Sequence, residues 1–167
     1  MTDPQRARRI EELLQEEREL VLPRFDHDDA WRLGVALRER AAAAGSAVAF
    51  DIRRPSGSVL FHAALAGTTA DQDEWIRRKS AVVFRFEISS ALLAARLDAA
   101  DVDAVAMGWL ASADYAVAGG SVPVRVEGAG VVAAVTASGL SSDEDHQLVV
   151  EAIAAHGGIV SSRFDHW

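Results

Sequence analysis

AGGSVPVRVEGAGVVAAVTASGLSSDEDHQLV, residues 118–149, decides how this chain folds. VPVRV and VVAAVTAS are β-branched, alternating runs around the turn EGAG, which is the pattern of a β-hairpin. Gly119-Gly120 punctuates the entry to it. A Ser-Gly turn leaves it for SSDEDHQLVVEAIAAHGG, a helix with Ser141 or Ser142 as N-cap, acidic residues in its first turn and glycines at its end.

Working outward, SAVAFDIRR, the turn PSGS and VLFHAAL make a second hairpin over 46–65. Between the hairpins, Thr69 or Asp71 caps a long helix carrying Trp75, Ile76, Lys79, Val82, Val83 and Phe86, and Ser89 or Ser90 caps a shorter one. The apolar stretch 104–118 supplies a third strand in the second half. At the front, Pro4 opens a helix to about Leu20 with Ile10, Leu13, Leu14, Glu17 and Val21 on one stripe, a surface or interface helix within 1–22. Pro23 breaks it. Asp26 or Asp28 caps a second helix to about Ala44, which Gly45 ends.

The order ααββααβββα keeps strands in hairpins instead of alternating single strands with crossover helices. It predicts an α+β fold, a central antiparallel sheet of about five strands flanked by helices. At 167 residues the expectation is a single domain over 1–167 with a tail over 160–167, ordered if Trp167 finds a pocket. The apolar hairpin is expected to leave exposed strand edges, which favours self-association.

The formal net charge of −8, from 25 acidic against 17 basic residues, opposes binding to a nucleic-acid backbone. The chain has no cysteine, so disulfides, thiolate nucleophiles and cysteine metal sites are excluded. The charged N-terminal stretch is unlike a signal peptide, and no apolar run is long enough to span a membrane, so a cytoplasmic location without membrane partners is the expectation.

Several residues carry chemistry. GGSVPVRVEGAG lacks the G-x-G-x-x-G order and stands before a strand, so Gly119, Gly120 and Pro123 read as hairpin architecture, with approach of backbone amides to a ligand as the alternative. Asp145 and His146 sit in the first turn of the last helix, where they serve the helix dipole or a cleft, with His146 as an acid, base or ligand. Neighbours on a helix point about 100° apart, so the two do not serve one ion together. His27, His62, His146, His156 and His166 show no metalloenzyme spacing, and no metal site is predicted. His62 lies on an apolar strand, and His156 complements a helix end. Trp75 and Lys79 share a helix face, with Arg78 beside them, able to receive a carboxylate or propionate or to form surface or intersubunit salt bridges. Ser138 in A-S-G-L lacks the first glycine of a nucleophile elbow.

AGGSVPV at 118–124, VVAAVTASG at 131–139 and the S-x-x-x-D at 141–145 resemble the heme-degrading-domain (GlcG/HbpS-like) family. DEWIRRKSAVVFRFEISS and the Asp145-His146 pair are similar to its small stand-alone branch of uncharacterised function. The resemblance covers about residues 10–158. It implies an antiparallel sheet flanked by helices, a homo-oligomer and, for some members, heme or corrinoid binding. Where relatives carry G-A-I-G-V-S-G, this chain has Ala133-Ala134-Val135-Thr136-Ala137-Ser138-Gly139, which should occlude a pocket there, and Ser121 lengthens the Gly-Gly-Val-Pro turn.

Three functions stay open. One is an oligomeric small-molecule or tetrapyrrole-binding module with its cleft between the Lys79 helix and the Gly119–Pro123 hairpin, near His146. The second is a protein-interaction or chaperone-like adaptor without a cofactor. The third is an enzyme acting on a small carboxylate or tetrapyrrole with His146 as base. Heme is the ligand the resemblance names, and no catalytic residue is identified.

Overall fold

Helix caps set the frame of the computed structural model, which describes residues 3–164. Asp3 caps α1 (Pro4–Glu19), Asp26 caps α2 (His27–Ala43), Thr69 caps α3 (Ala70–Phe86), Ser89 caps α4 (Ser90–Ala99) and Ser141 caps α5 (Ser142–Gly157). In α2, α3 and α5 the N3 side chain returns a bond to the cap's backbone, closing a capping box. The expectation for Trp167 lies outside the described residues.

The strands are β1 (Val21–Leu22), β2 (Ala49–Arg53), β3 (Val59–Ala64), β4 (Ser121–Val126) and β5 (Gly130–Ser138), in the order β1-β4-β5-β2-β3. The two expected hairpins, β2–β3 and β4–β5, join through an antiparallel β2–β5 pairing. This is the α+β arrangement, with one departure: β1 lies parallel to β4, pairing Val21 with Arg125 and Leu22 with Val126.

Two expectations are corrected. Residues 104–118 form turns, not a strand. The Asp103 carboxylate accepts the Val105 and Ala106 amides, and Leu110, Tyr115 and Val117 pack with Val82, Phe86 and Leu93 instead of pairing in the sheet. The β4–β5 hairpin is an edge only in part: β5 lies between β4 and β2, and the two-residue β1 pairs with β4 at Arg125 and Val126 alone, so the described residues give the sheet one edge at β3 and another along β1 and the first half of β4.

Alternation gives the two faces of the sheet different chemistry. Phe50, Ile52, Val122, Val124, Val135 and Ala137 point to the main core, packed with α2 and α5 residues such as Leu33, Leu37, Val149 and Ile153. The opposite face, under α3, carries Asp51, Thr136, Ser138 and Ser121, all buried. Asp51 is held bidentate by Arg53 at 2.6 and 2.8 Å, and the Ser121 and Thr136 hydroxyls are 2.8 Å apart. Helix α1 packs on α4 through Leu13, Ala91 and Leu92.

Candidate functional site

One face of α3 brings Gln72, Trp75 and Lys79 toward the end of β5, where the chain turns at Gly139 (φ 145) into the cap of α5. The first turn of α5 carries Asp145 inward against Lys79. Their charged atoms, Nζ and Oδ2, lie 3.0 Å apart, and the ammonium also donates to the Ala137 carbonyl at 3.2 Å. The second carboxylate oxygen accepts the Leu140 amide at 3.1 Å. Lys79 is 3% exposed and Asp145 1%, so this is a buried pair and not the surface or intersubunit salt bridge weighed for Lys79. Burial pushes the Asp145 carboxyl above its ordinary range, against the lowering pull of the Lys79 ammonium and of the backbone amides of Leu140 and Gly139.

The glycine pair at 119–120 exists because of this arrangement. A Cβ on Gly120, which adopts φ +127, would stand 2.6 Å from the Ala137 carbonyl oxygen, 2.8 Å from Lys79 Nζ and 3.0 Å from Asp145 Cβ. On Gly119 it would collide with the backbone carbonyl of Ser142. The glycines therefore let the chain cross closely over the pair and the start of α5.

Above the pair lies a cleft of about 280 Å³ between α3 and the β5–α5 turn, lined by Gln72, Trp75, Lys79, Ser138, Leu140 and Asp145 among others. Of the sequence-predicted residues it gathers Trp75, Lys79, Ser138 and Asp145. Gly119 and Gly120 lie behind the pair, and Pro123 is buried in β4 opposite Ala134. Arg78 stacks 4.5 Å over the outer side of the Trp75 ring and donates to the Ser112 carbonyl, bracing the wall. His62 is exposed on β3, with Nε2 3.6 Å from Asp73. A larger depression, about 540 Å³, runs along α1 and α4, but Arg6 and Arg9 beside it already pair with Asp98, Asp101 and Asp143.

His146 faces away from the cleft. It is 2% exposed, its Nε2 lies 2.6 Å from Glu16 Oε1 in α1, and its buried Nδ1 has no partner. As expected from helix geometry, Asp145 and His146 serve different places. The acids on α1 escaped the sequence reading. Glu17, 7% exposed, accepts the Ser89 amide at 2.7 Å and pairs with Arg125 at 3.0 Å, tying α1 to α4 and β4. Its signal was a carboxylate standing in the apolar stripe of α1. Among the described residues no group of three His, Asp or Glu could hold a metal ion, and no helix is long and apolar enough to cross a membrane.

Fold and site together define a small α+β protein with an antiparallel core sheet and a buried lysine–carboxylate pair beneath a helix start. The chain belongs to the family described as Haem degrading protein HbpS-like, whose model matches residues 25–154. It is 48% identical over 153 residues to a UPF0303 protein of Streptomyces avermitilis, covering 92% of this chain and 93% of that one. A UPF0303 protein of Brucella melitensis is 44% identical, over 89% and 88% of the two chains. Among solved structures, the Ybr137w protein superposes with a TM-score of 0.84 at 30% identity, covering 92% of each chain. The fold is shared with a PduOC:heme complex, TM-score 0.67 at 17% identity over 78% of this chain and 94% of that one.

Proposed function

We propose that this protein binds a small polar molecule in the cleft above Lys79 and Asp145. The observation that carries this reading is a fully buried charge pair forming the floor of a cleft whose wall is an exposed aromatic ring. A buried ion pair is weak support for stability, because apolar residues of the same volume do as well or better. Here both of its members line a cavity, Trp75 supplies an apolar wall, and Ser138 and Gln72 supply hydrogen-bonding groups.

Heme is the ligand that the family description and the PduOC:heme complex bring forward. The residues of this cleft do not fit it. None of the imidazole, thiolate, thioether or phenolate side chains that commonly ligate heme iron lines the cleft, and its one amine, Lys79, is engaged by Asp145 and the Ala137 carbonyl. Its volume of about 280 Å³ also falls at or below the bottom of the roughly 300–1,000 Å³ span of drug-sized sites. A smaller ligand matches better. Self-association belongs to the same proposal: β3 ends the sheet, and Trp31, 62% exposed, and Val59 flank its free edge.

The test is ligand-observed NMR with a mixture of small carboxylates, alcohols and carbonyl compounds, beside a hemin titration followed by absorbance. The proposal expects saturable binding of a small compound, weakened in Trp75→Ala, and no saturable hemin spectrum. A stoichiometric hemin complex with no small-molecule binding overturns it. Light scattering of the eluted protein tests self-association, which a monomer refutes.

A further inference from the structure

Of the 17 lysine and arginine residues in the chain, only one is a lysine, and it is Lys79. Every other cation is a guanidinium, including those that make buried or partly buried pairs, such as Arg53 with Asp51 and Arg125 with Glu17. Charge alone therefore does not call for lysine at this position. What lysine does and arginine cannot is give up its proton and become a nucleophilic amine.

We propose that Lys79 captures a small aldehyde or ketone seated in the cleft as a reversible imine, with Asp145 carrying the proton. This rests on the reading of the cleft as a ligand site and names the ligand's chemistry. The Lys79 ammonium passes a proton to the Asp145 carboxylate 3.0 Å away, giving a neutral amine beside a neutral acid. The amine's lone pair forms a C–N bond to the carbonyl carbon, and the carbonyl π pair moves to oxygen, which takes the proton back from Asp145. The carbinolamine nitrogen then gives its extra proton to the Asp145 carboxylate, which delivers it to the hydroxyl as the C–O bond breaks and water leaves, so that an iminium remains next to the Asp145 carboxylate. In net terms an ammonium and a carbonyl compound become an iminium and water, and hydrolysis reverses it. The site holds one positive and one negative charge before and after, so the buried environment that tolerates the resting pair tolerates the adduct. Burial, which raises the Asp145 carboxyl, favours the proton on that carboxyl at the step where the amine must be free. Trp75 and Leu140 offer apolar contact to the carbon chain of the ligand.

The experiment incubates the full chain with propanal and sodium cyanoborohydride at neutral pH, which fixes an imine as a propyl amine, and maps the modified peptides by mass. The N-terminal amine is an internal control. On ordinary pKa values, near 8 for that amine and 10.4 for lysine, a simple exposed lysine would label about a hundredfold or more slower. The proposal expects the reverse order, with saturable single modification at Lys79 ahead of the N-terminal amine, and loss of that priority in Asp145→Asn shown to be folded by its near-ultraviolet spectrum. Labelling confined to the N-terminal amine, or reaching Lys79 only in denatured protein, overturns it. Saturable binding of a small compound without any Lys79 adduct overturns imine formation and leaves the cleft reading intact. The wild-type comparison decides the matter without the variant.

Discussion

Replacing Lys79 with Met tests the energetics of the buried pair. The methionine side chain fills comparable space but removes the only cation among the described residues within reach of Asp145, which is 1% exposed and keeps the backbone amides of Leu140 and Gly139 as donors. Removing one partner of such a pair costs about 3–5 kcal/mol, because a carboxylate is left uncompensated. With a urea slope of about 2 kcal/mol per molar, the unfolding midpoint should fall by roughly 2 M. The double variant Lys79→Met, Asp145→Leu should recover most of that loss, since apolar replacement of a whole buried pair is neutral or stabilising. The pH dependence has a definite sign. Asp145 holds its proton more tightly folded than unfolded, so the native state binds more protons between the ordinary carboxylate range and its raised value. Stability from this group therefore falls as pH rises through that window and is level above it. Taking away Lys79 removes a lowering influence and extends the window upward, so the single variant should be most destabilised at neutral pH and gain on mild acidification. Urea unfolding at several pH values measures this. A loss under about 1 kcal/mol that does not change with pH would refute the coupling, since a median surface pair behaves that way.

Three further outcomes follow from the same geometry. Gly120→Ala forces a Cβ to within 2.8 Å of Lys79 Nζ at a left-handed φ and should cost more than about 1 kcal/mol, read as a lower thermal midpoint. Glu17→Ala leaves the Ser89 amide without its acceptor at the cap of α4 and should cost about 1–3 kcal/mol, with faster hydrogen exchange at that amide. His146→Ala loses the Glu16 contact and packing between α1 and α5, lowering stability, while the absorbance of added hemin stays as in wild type because the ring does not face the cleft.

Local signals carried most of the architecture. Both hairpins, the helix caps at Asp26, Thr69, Ser89 and Ser141, and the identity of the core strands follow from alternation and capping chemistry that act over a few residues. The β1 pairing did not show, because two residues carry no periodicity and their position depends on β4 far along the chain. Residues 104–118 misled because their apolar content fits a strand as well as a satellite cluster over α3 and α4. At the site, the i and i+4 placement of Trp75 and Lys79 was legible, and so was the divergence of Asp145 from His146. The contact between Lys79 and Asp145 spans 66 positions, and no local pattern encodes it. The glycines at 119–120 were visible as glycines, yet their reason is a close crossing over side chains from two other elements.

The central claim is that small molecules enter the cleft above Lys79 and Asp145. An amide chemical-shift map recorded while the mixture of small carboxylates, alcohols and carbonyl compounds is added tests it most directly. The account predicts saturable shifts concentrated at Ser138–Ser142 and along Gln72–Lys79. Shifts that gather at the β3 edge around His62, or none at all, would contradict it.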